Sequence, residues 1–233
     1  MNQEFNKNMI RSFKPQFRLC LDILLKMKYT CNSAVQNGSS STDAKHEDNI
    51  KKIFLENGFS ESLVNKGKKK VFTKEMQNNL QKSILNPGEF IEQPFGKNDN
   101  PDFVVQLTEN SVISIEAKSS KDPKPQYNSG GIKNNTVYIL SSSKYNQTTI
   151  YLGKSIILEK QQTLINELIN KQKELEIEYN KKLNECDDNE RGIAYYTRPM
   201  IIQKGSSEKT DYFKHKNREN CEKEVYTFID ELH

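Results

Sequence analysis

The chain is 233 residues long, with 34% hydrophobic residues, 28% charged residues and no tryptophan, which suits one domain with peripheral additions, or at most two small ones. A mean hydropathy of -0.84 and no apolar run near the roughly 20 residues a bilayer span needs argue against an integral membrane protein. The apolar run Leu19 to Leu25 contains Asp22 and is no signal-peptide core, so no membrane partner and a cytoplasmic location are expected.

The net charge of +4 says little, because 30 of the 35 basic residues are Lys and 25 Asn accompany them. That bias looks like A/T-rich codon usage, so a polyanion-binding surface has to be argued from where charges cluster. Cys20, Cys31, Cys186 and Cys221 form no C-x-x-C pair, and His46, His215 and His233 lack metal-ligand spacing with them. Reduced thiols are expected, with neither a zinc ribbon nor a disulfide framework.

In chain order, Phe17, Cys20, Leu21, Leu24 and Leu25 have helical spacing and predict an amphipathic N-terminal helix. A polar loop follows from Asn32 to Thr42. Thr42 or Asp43 then caps a second helix, with Ile50, Ile53 and Phe54 inward and a stop at Asn57-Gly58. His46, Glu47 and Lys51 are expected elsewhere on its circumference. Lys66 to Lys70 is the densest positive cluster, either a phosphate-contacting loop or a solvated connector, and a helix is predicted over 74–85.

From Phe90 the period becomes extended. Strands are predicted at Phe90 to Gln93, Asp102 to Leu107, Val112 to Lys118, Thr136 to Leu140 and Thr148 to Leu152, separated by Asn, Gly, Pro and Ser clusters. Leu158 to Glu185 reads as a long helix with Leu164, Leu168, Leu175, Tyr179 and Leu183 along one stripe. Gln172 interrupts that stripe, which suits a packed helix or half of a dimer contact rather than a coiled coil. Ile193 to Gln203 reads as extended, and Cys221 to Leu232 as a final helix with Val225, Phe228, Ile229 and Leu232 inward. The expected class is α/β (α+β), a central mixed sheet flanked by helices.

The sharpest chemical feature is Asn100-Pro101-Asp102-Phe103, followed by Ile115-Glu116-Ala117-Lys118. An acid-x-Lys triplet alone means nothing: with 31 acids and 30 lysines chance supplies about four. The context of Glu116 is what distinguishes it. Ile113, Ile115 and Ala117 alternate with Ser114, Glu116 and Lys118, so a carboxylate and an ammonium share one strand face. Asp102 begins the preceding strand. A hairpin loop of three or five residues places Asp102 opposite Lys118 or Glu116 on that same face, whereas a two-residue loop points it away. Pro101 fixes the backbone ahead of the strand without removing a ladder bond from its interior. Two acids and a lysine in one cleft form a hard-cation site beside a positive charge.

Pro101-Asp102, a spacer of 13 residues and Glu116-Ala117-Lys118 at the end of an apolar strand resemble the PD-(D/E)XK nuclease superfamily, in particular type II restriction endonucleases. Glu92 to Gly96, Lys118 to Lys121 with Pro125 to Gly131, and the helix beginning His46-Glu47 resemble further parts of that pattern. The resemblance covers roughly residues 43 to 157. It implies a restriction-endonuclease-like fold with a helical extension at 1–42, a catalytic core at 43–157 and C-terminal helices and a strand at 158–233 available for dimerisation or DNA contacts.

It further implies Mg²⁺-dependent, sequence-specific cleavage of double-stranded DNA by a homodimer. Asp102, Glu116 and the Ala117 carbonyl would ligate Mg²⁺, with Glu47 as an additional ligand, and Lys118 would orient or help deprotonate the attacking water. Gln126, Asn128, Ser129, Lys133 and Asn134, in the polar loop after the active strand, and Arg198 are the candidate DNA contacts. The bland alternatives are a polar surface loop and a structural ion pair for Arg198. Two other readings stay open: a repair or junction-resolving nuclease of the same fold, and a non-catalytic DNA-binding protein in which Asp102, Glu116 and Lys118 only pair with one another.

Overall fold

The computed structural model describes residues 12–29, 42–64, 85–96, 99–128, 131–186 and 189–232, with only the backbone described for 42–45. The Lys66 to Lys70 cluster, the helix predicted over 74–85 apart from Leu85, Cys31 and Ser129 lie outside the described residues.

Six strands form one mixed sheet in sequence order: β1 (Ser60–Glu61), β2 (Glu89–Glu92), β3 (Phe103–Gln106), β4 (Val112–Ser120), β5 (Thr136–Ser142) and β6 (Gln147–Leu152). β2, β3 and β4 form an antiparallel meander, β5 runs parallel to β4, and β6 returns antiparallel to β5. β1, too short for a periodic signal, adds a parallel edge to β2. A mixed sheet with helices against it is therefore what the sequence pattern builds.

Alternation divides the sheet into two unlike faces. On the first, Phe90, Phe103, Val105, Ile113, Ile115, Ala117, Val137, Ile139, Ile150 and Leu152 join one buried core with α1 (Lys14–Lys26), α2 (Thr42–Glu56) and α5 (Arg218–Glu231). Phe54 stands at its centre, with ring centroids 5.6 Å from Phe90, 5.9 Å from Phe103 and 5.7 Å from Phe59. α1 and α5 contribute Phe17, Leu21, Leu24, Val225 and Ile229, so these two helices are part of the main core. Gly88 lies in the left-handed region at φ +87, and an added Cβ there would meet the Phe13 ring at 2.3 Å.

The second face carries two separate apolar clusters. One, with Leu85, Ile91, Phe95 and Val104, lies under β2 and β3. The other, with Tyr127, Ile132, Tyr138, Leu140, Tyr151, Ile157 and Phe213, lies over β5 and β6. β4 passes between them.

After β6 come a short 3-10 turn (Gly153–Ser155), α3 (Glu159–Asn184) and α4 (Ser207–Thr210). Two expectations need correction here. Ile193 to Gln203 is not a strand: it forms a single antiparallel bridge, Ile201 with Tyr127, and its first residues bond to α3 instead. Of the two readings of the α3 stripe, a packed helix or half of a dimer contact, the first is not met at four of its five residues, Leu183 alone being half-buried. Leu164, Leu168, Leu175 and Tyr179 are all more than half exposed, and Ile169 is the one residue of this helix counted as buried.

Candidate active site

The β3–β4 register pairs Phe103 with Ile115 and Gln106 with Val112, leaving a five-residue loop. Continued by one residue, that register sets Asp102 opposite Glu116. The odd loop length keeps both side chains on the second face, while their neighbours Phe103, Ile115 and Ala117 enter the core on the first. The gap between the two apolar clusters is therefore filled by Asp102, Glu116 and Lys118.

Each group is held by named partners. Lys118 Nζ donates to Glu116 Oε1 at 2.6 Å, and Asn100 Nδ2 donates to Glu116 Oε2 at 2.6 Å. The Glu116 side chain is only 3% exposed and that of Lys118 14%, so this is a buried ion pair whose desolvation cost is offset by a fixed geometry and a further donor. The Asn100–Pro101 peptide is cis. Asp102 Oδ2 accepts the Ala117 N–H at 2.8 Å, a bond that the β3 backbone would otherwise supply.

A strand residue directs its N–H and C=O to the same side, so the Ala117 carbonyl also faces the Asp102 side. The residue that the register sets opposite Ala117 is Pro101, which has no N–H to give. The Asp102 carboxylate and the Ala117 carbonyl therefore lie along the same edge of β4.

Glu47 reaches the site from α2. Its Oε2 accepts Gln93 Nε2 at 3.2 Å, and its charge is felt by Asp102. Gln93 itself has φ 47, an uncommon left-handed conformation for a residue with a side chain, and its N–H donates to the Asp102 carbonyl at 2.6 Å. This turn ties the end of β2 to the first residue ahead of β3. Two supporting roles were hidden in the sequence: Gln93 on Glu47 and Asn100 on Glu116. Their only sequence signal is position, Asn100 beside the Pro101-Asp102 pair and Gln93 at the end of a strand.

The electrostatics reflect crowded acids. Burial, then the charges of Glu116 and Glu47, push the Asp102 carboxyl up to about 8, against the opposing pull of Lys118 and the Ala117 N–H. Burial also raises the Glu116 carboxyl, with Lys118 and Asn100 opposing it. One ammonium among three carboxylates leaves a deficit of positive charge. Among the described residues no three His, Cys, Asp or Glu side chains gather tightly enough to form a closed metal cage. A pair of carboxylates with a carbonyl beside them is an open, oxygen-only donor set, which fits a hard cation that keeps several waters, such as Mg²⁺.

His46, expected away from the apolar face of α2, is buried, its Nε2 3.0 Å from the Ile139 carbonyl. Against a carbonyl acceptor the imidazole N–H is the donor. Lys51 pairs with Glu92 at 2.7 Å and Glu61 at 3.1 Å, joining α2 to the β1–β2 edge.

The loop between β4 and β5 begins at Lys121, three residues beyond Lys118. Gln126 is exposed on it, and Tyr127 is buried as its anchor. Asn128 is half-buried, and its carbonyl accepts Arg198 Nε at 3.0 Å. Arg198 is thus an exposed side chain bonded to this loop, and among the described residues it enters no ion pair. Lys133 and Asn134 are half-buried. Burial and the nearby Lys173 lower the Lys133 pKa, and Asn134 Oδ1 is turned inward. Of the candidate contacts on described residues, Gln126 and Arg198 present exposed side chains, whereas Lys133 and Asn134 support the loop from beneath.

Comparisons of the chain with family models, curated proteins and solved structures give no match.

Proposed function

We propose that this protein is a Mg²⁺-dependent endonuclease of the type II restriction class, hydrolysing phosphodiester bonds in double-stranded DNA at specific sequences. The observation that supports this reading is the convergence of Asp102, Glu116 and Lys118 on one sheet face between two apolar clusters, in the order and spacing of a PD-(D/E)XK motif. A restriction-endonuclease-like version of the α/β fold is part of the same proposal.

Asp102 Oδ1, a Glu116 oxygen and the Ala117 carbonyl would hold the cation. When bound it supplies Lewis acidity at the scissile phosphate and a more acidic water. The rest falls to the chain. Lys118, fixed against Glu116, keeps a positive charge beside the place where a phosphate oxygen gains charge, and its remaining N–H groups can hold the attacking water in line. Asn100 keeps Glu116 from rotating, and the Ala117 N–H does the same for Asp102, so neither acid reorganises as charge develops. Glu47 adds negative potential from α2, and Gln93 holds it at a fixed distance. The loop after Lys118, with Gln126 exposed and Arg198 bonded across it, is suited to enter a groove of the duplex.

A plasmid digest tests the reading. Purified wild-type protein and Lys118→Ala are incubated with DNA of known sequence, with Mg²⁺ or with chelator. Discrete fragments that need both Mg²⁺ and Lys118 support a site-specific nuclease. A smear moves the assignment to a nuclease without base specificity, and DNA left intact under every condition removes the catalytic assignment.

A further inference from the structure

α3 carries two apolar faces, with Ile177 exposed apart from both, and among the described residues only one of the two faces is packed. On the first, Gln162 Nε2 donates to the Ile132 carbonyl at 2.7 Å, Ile165 packs on the tyrosine-rich cluster and Ile169 is buried. Further along the same face Glu176 accepts the Thr197 N–H, and Asn180 exchanges hydrogen bonds with the Tyr195 backbone. Roughly a third of a turn away, at 3.6 residues per turn, lies the second face. There Leu164, Leu168, Leu175 and Tyr179 are 58%, 56%, 54% and 55% exposed.

The spacing of these four residues is four, seven and four, which reads the same in both directions. Two such helices laid antiparallel bring Leu164 against Tyr179 and Leu168 against Leu175, twice over. The centre falls between Lys171 and Gln172, so each Lys171 meets a Gln172, whereas parallel pairing would set Lys171 against itself.

One border of the stripe is lined by Lys160, Glu167, Lys171, Glu178, Lys182 and Glu185, equal in the two signs and without net repulsion. A specific interface takes about 800 Å² per partner. At roughly 100 Å² per half-exposed large side chain the stripe supplies about half of this. Ile193, Tyr195, Tyr196, Met200 and Ile202, on the segment bonded to α3, are each half or more exposed and offer further apolar area beside the helix.

We infer that α3 is a self-association surface: two copies of this chain pair antiparallel through Leu164, Leu168, Leu175 and Tyr179 about a two-fold axis between Lys171 and Gln172. The pairing stands independently of the hydrolytic reading. It has a consequence for it, however, because the same segment grips the loop beyond Lys118. Tyr127 and Ile201 exchange backbone bonds of 3.1 and 2.8 Å, and Arg198 and Gln162 bond the Asn128 and Ile132 carbonyls. Pairing of α3 therefore sets the two loops, and the two acid clusters behind them, at a fixed separation.

The test is the mass of the full chain in solution at micromolar concentration, together with directed cross-linking. Wild type is expected at twice 27.0 kDa, and Leu168→Glu/Leu175→Glu at half the wild-type mass with an unchanged far-UV circular dichroism spectrum. For cross-linking, a Cys186→Ser background removes the exposed native thiol nearby. Leu168→Cys and Leu175→Cys proteins then form a disulfide-linked dimer when mixed and none when alone, a result that decides the question even if the double Glu variant loses its fold. Wild type at the single-chain mass, a folded Glu variant at the double mass, or cross-linking of Leu168→Cys to itself overturns the inference.

Discussion

The two faces of β4 are made by one stretch of nine residues and obey opposite rules. On the first face Ile113, Ile115 and Ala117 sink into a core of phenylalanines and aliphatics, where stability comes from area removed from water and from close packing. On the second face, one residue out of step, Glu116 and Lys118 are almost as deeply buried, and their burial costs free energy that Asn100 and their own pairing only partly return. A single register shift would exchange the two sets. The core therefore does more than stabilise: it locks the register that brings the acids together.

The largest effect that could break this comparison belongs to the first face. Phe54→Ala empties the centre of the aromatic cluster and should cost about 3 to 5 kcal/mol, read as a loss of unfolding free energy in urea. A loss below about 1 kcal/mol would mean that the core does not set the register.

On the second face, Lys118→Ala should leave the circular dichroism spectrum unchanged while lowering the cleavage rate by about 10²–10³-fold, or roughly 3 to 4 kcal/mol of transition-state stabilisation.

The next effect depends on pH. Asp102 is raised in the folded chain, to about 8 from 3.8, so its contribution to stability is fully present below about pH 4 and is lost as pH rises through about 8. Without Mg²⁺, Asp102→Asn should match wild type in Tm near pH 4 and exceed it at pH 9 by the equivalent of about 2 kcal/mol. Millimolar Mg²⁺ should raise the wild-type Tm at pH 8 through binding to the folded form and leave that of Asp102→Asn unchanged.

Asn100→Ala is expected to have the smallest effect, about 10-fold to 100-fold in cleavage rate or metal affinity, because it frees Glu116 to rotate without removing a charge. An Asn100→Ala defect as large as that of Lys118→Ala would make the amide a direct participant.

Much of this organisation was legible in the sequence, for a physical reason. Strand alternation has period two, so the pattern from Val112 to Lys118 fixes which residues share a face, and an odd loop then puts Asp102 on that face opposite Glu116 or Lys118; the observed register selects Glu116. The helix stripe of α1, with Phe17, Cys20, Leu21 and Leu24 buried, was readable in the same way.

What escaped were contacts made across elements by polar side chains, which leave no periodic trace. The bond from His46 to the Ile139 carbonyl, the hold of Asn100 on Glu116 and the left-handed turn at Gln93 all depend on where two distant segments meet. The extended reading of Ile193 to Gln203 missed because local β propensity cannot indicate whether a free edge lies alongside. The exposed stripe of α3 shows the converse: a helical period tells which residues share a face, not what covers it.

In the proposed function the charges on the second face of β4 carry out the chemistry and the surface lysines beyond them do not. Single-turnover cleavage of an end-labelled duplex with saturating Mg²⁺ tests it, comparing wild type, Lys118→Ala and Lys121→Ala, whose lysine is exposed three residues further on. The account predicts near-wild-type cleavage by Lys121→Ala and a loss of at least about 10²-fold for Lys118→Ala. Equal rates for the two variants, or an intact duplex with wild-type protein, would contradict it.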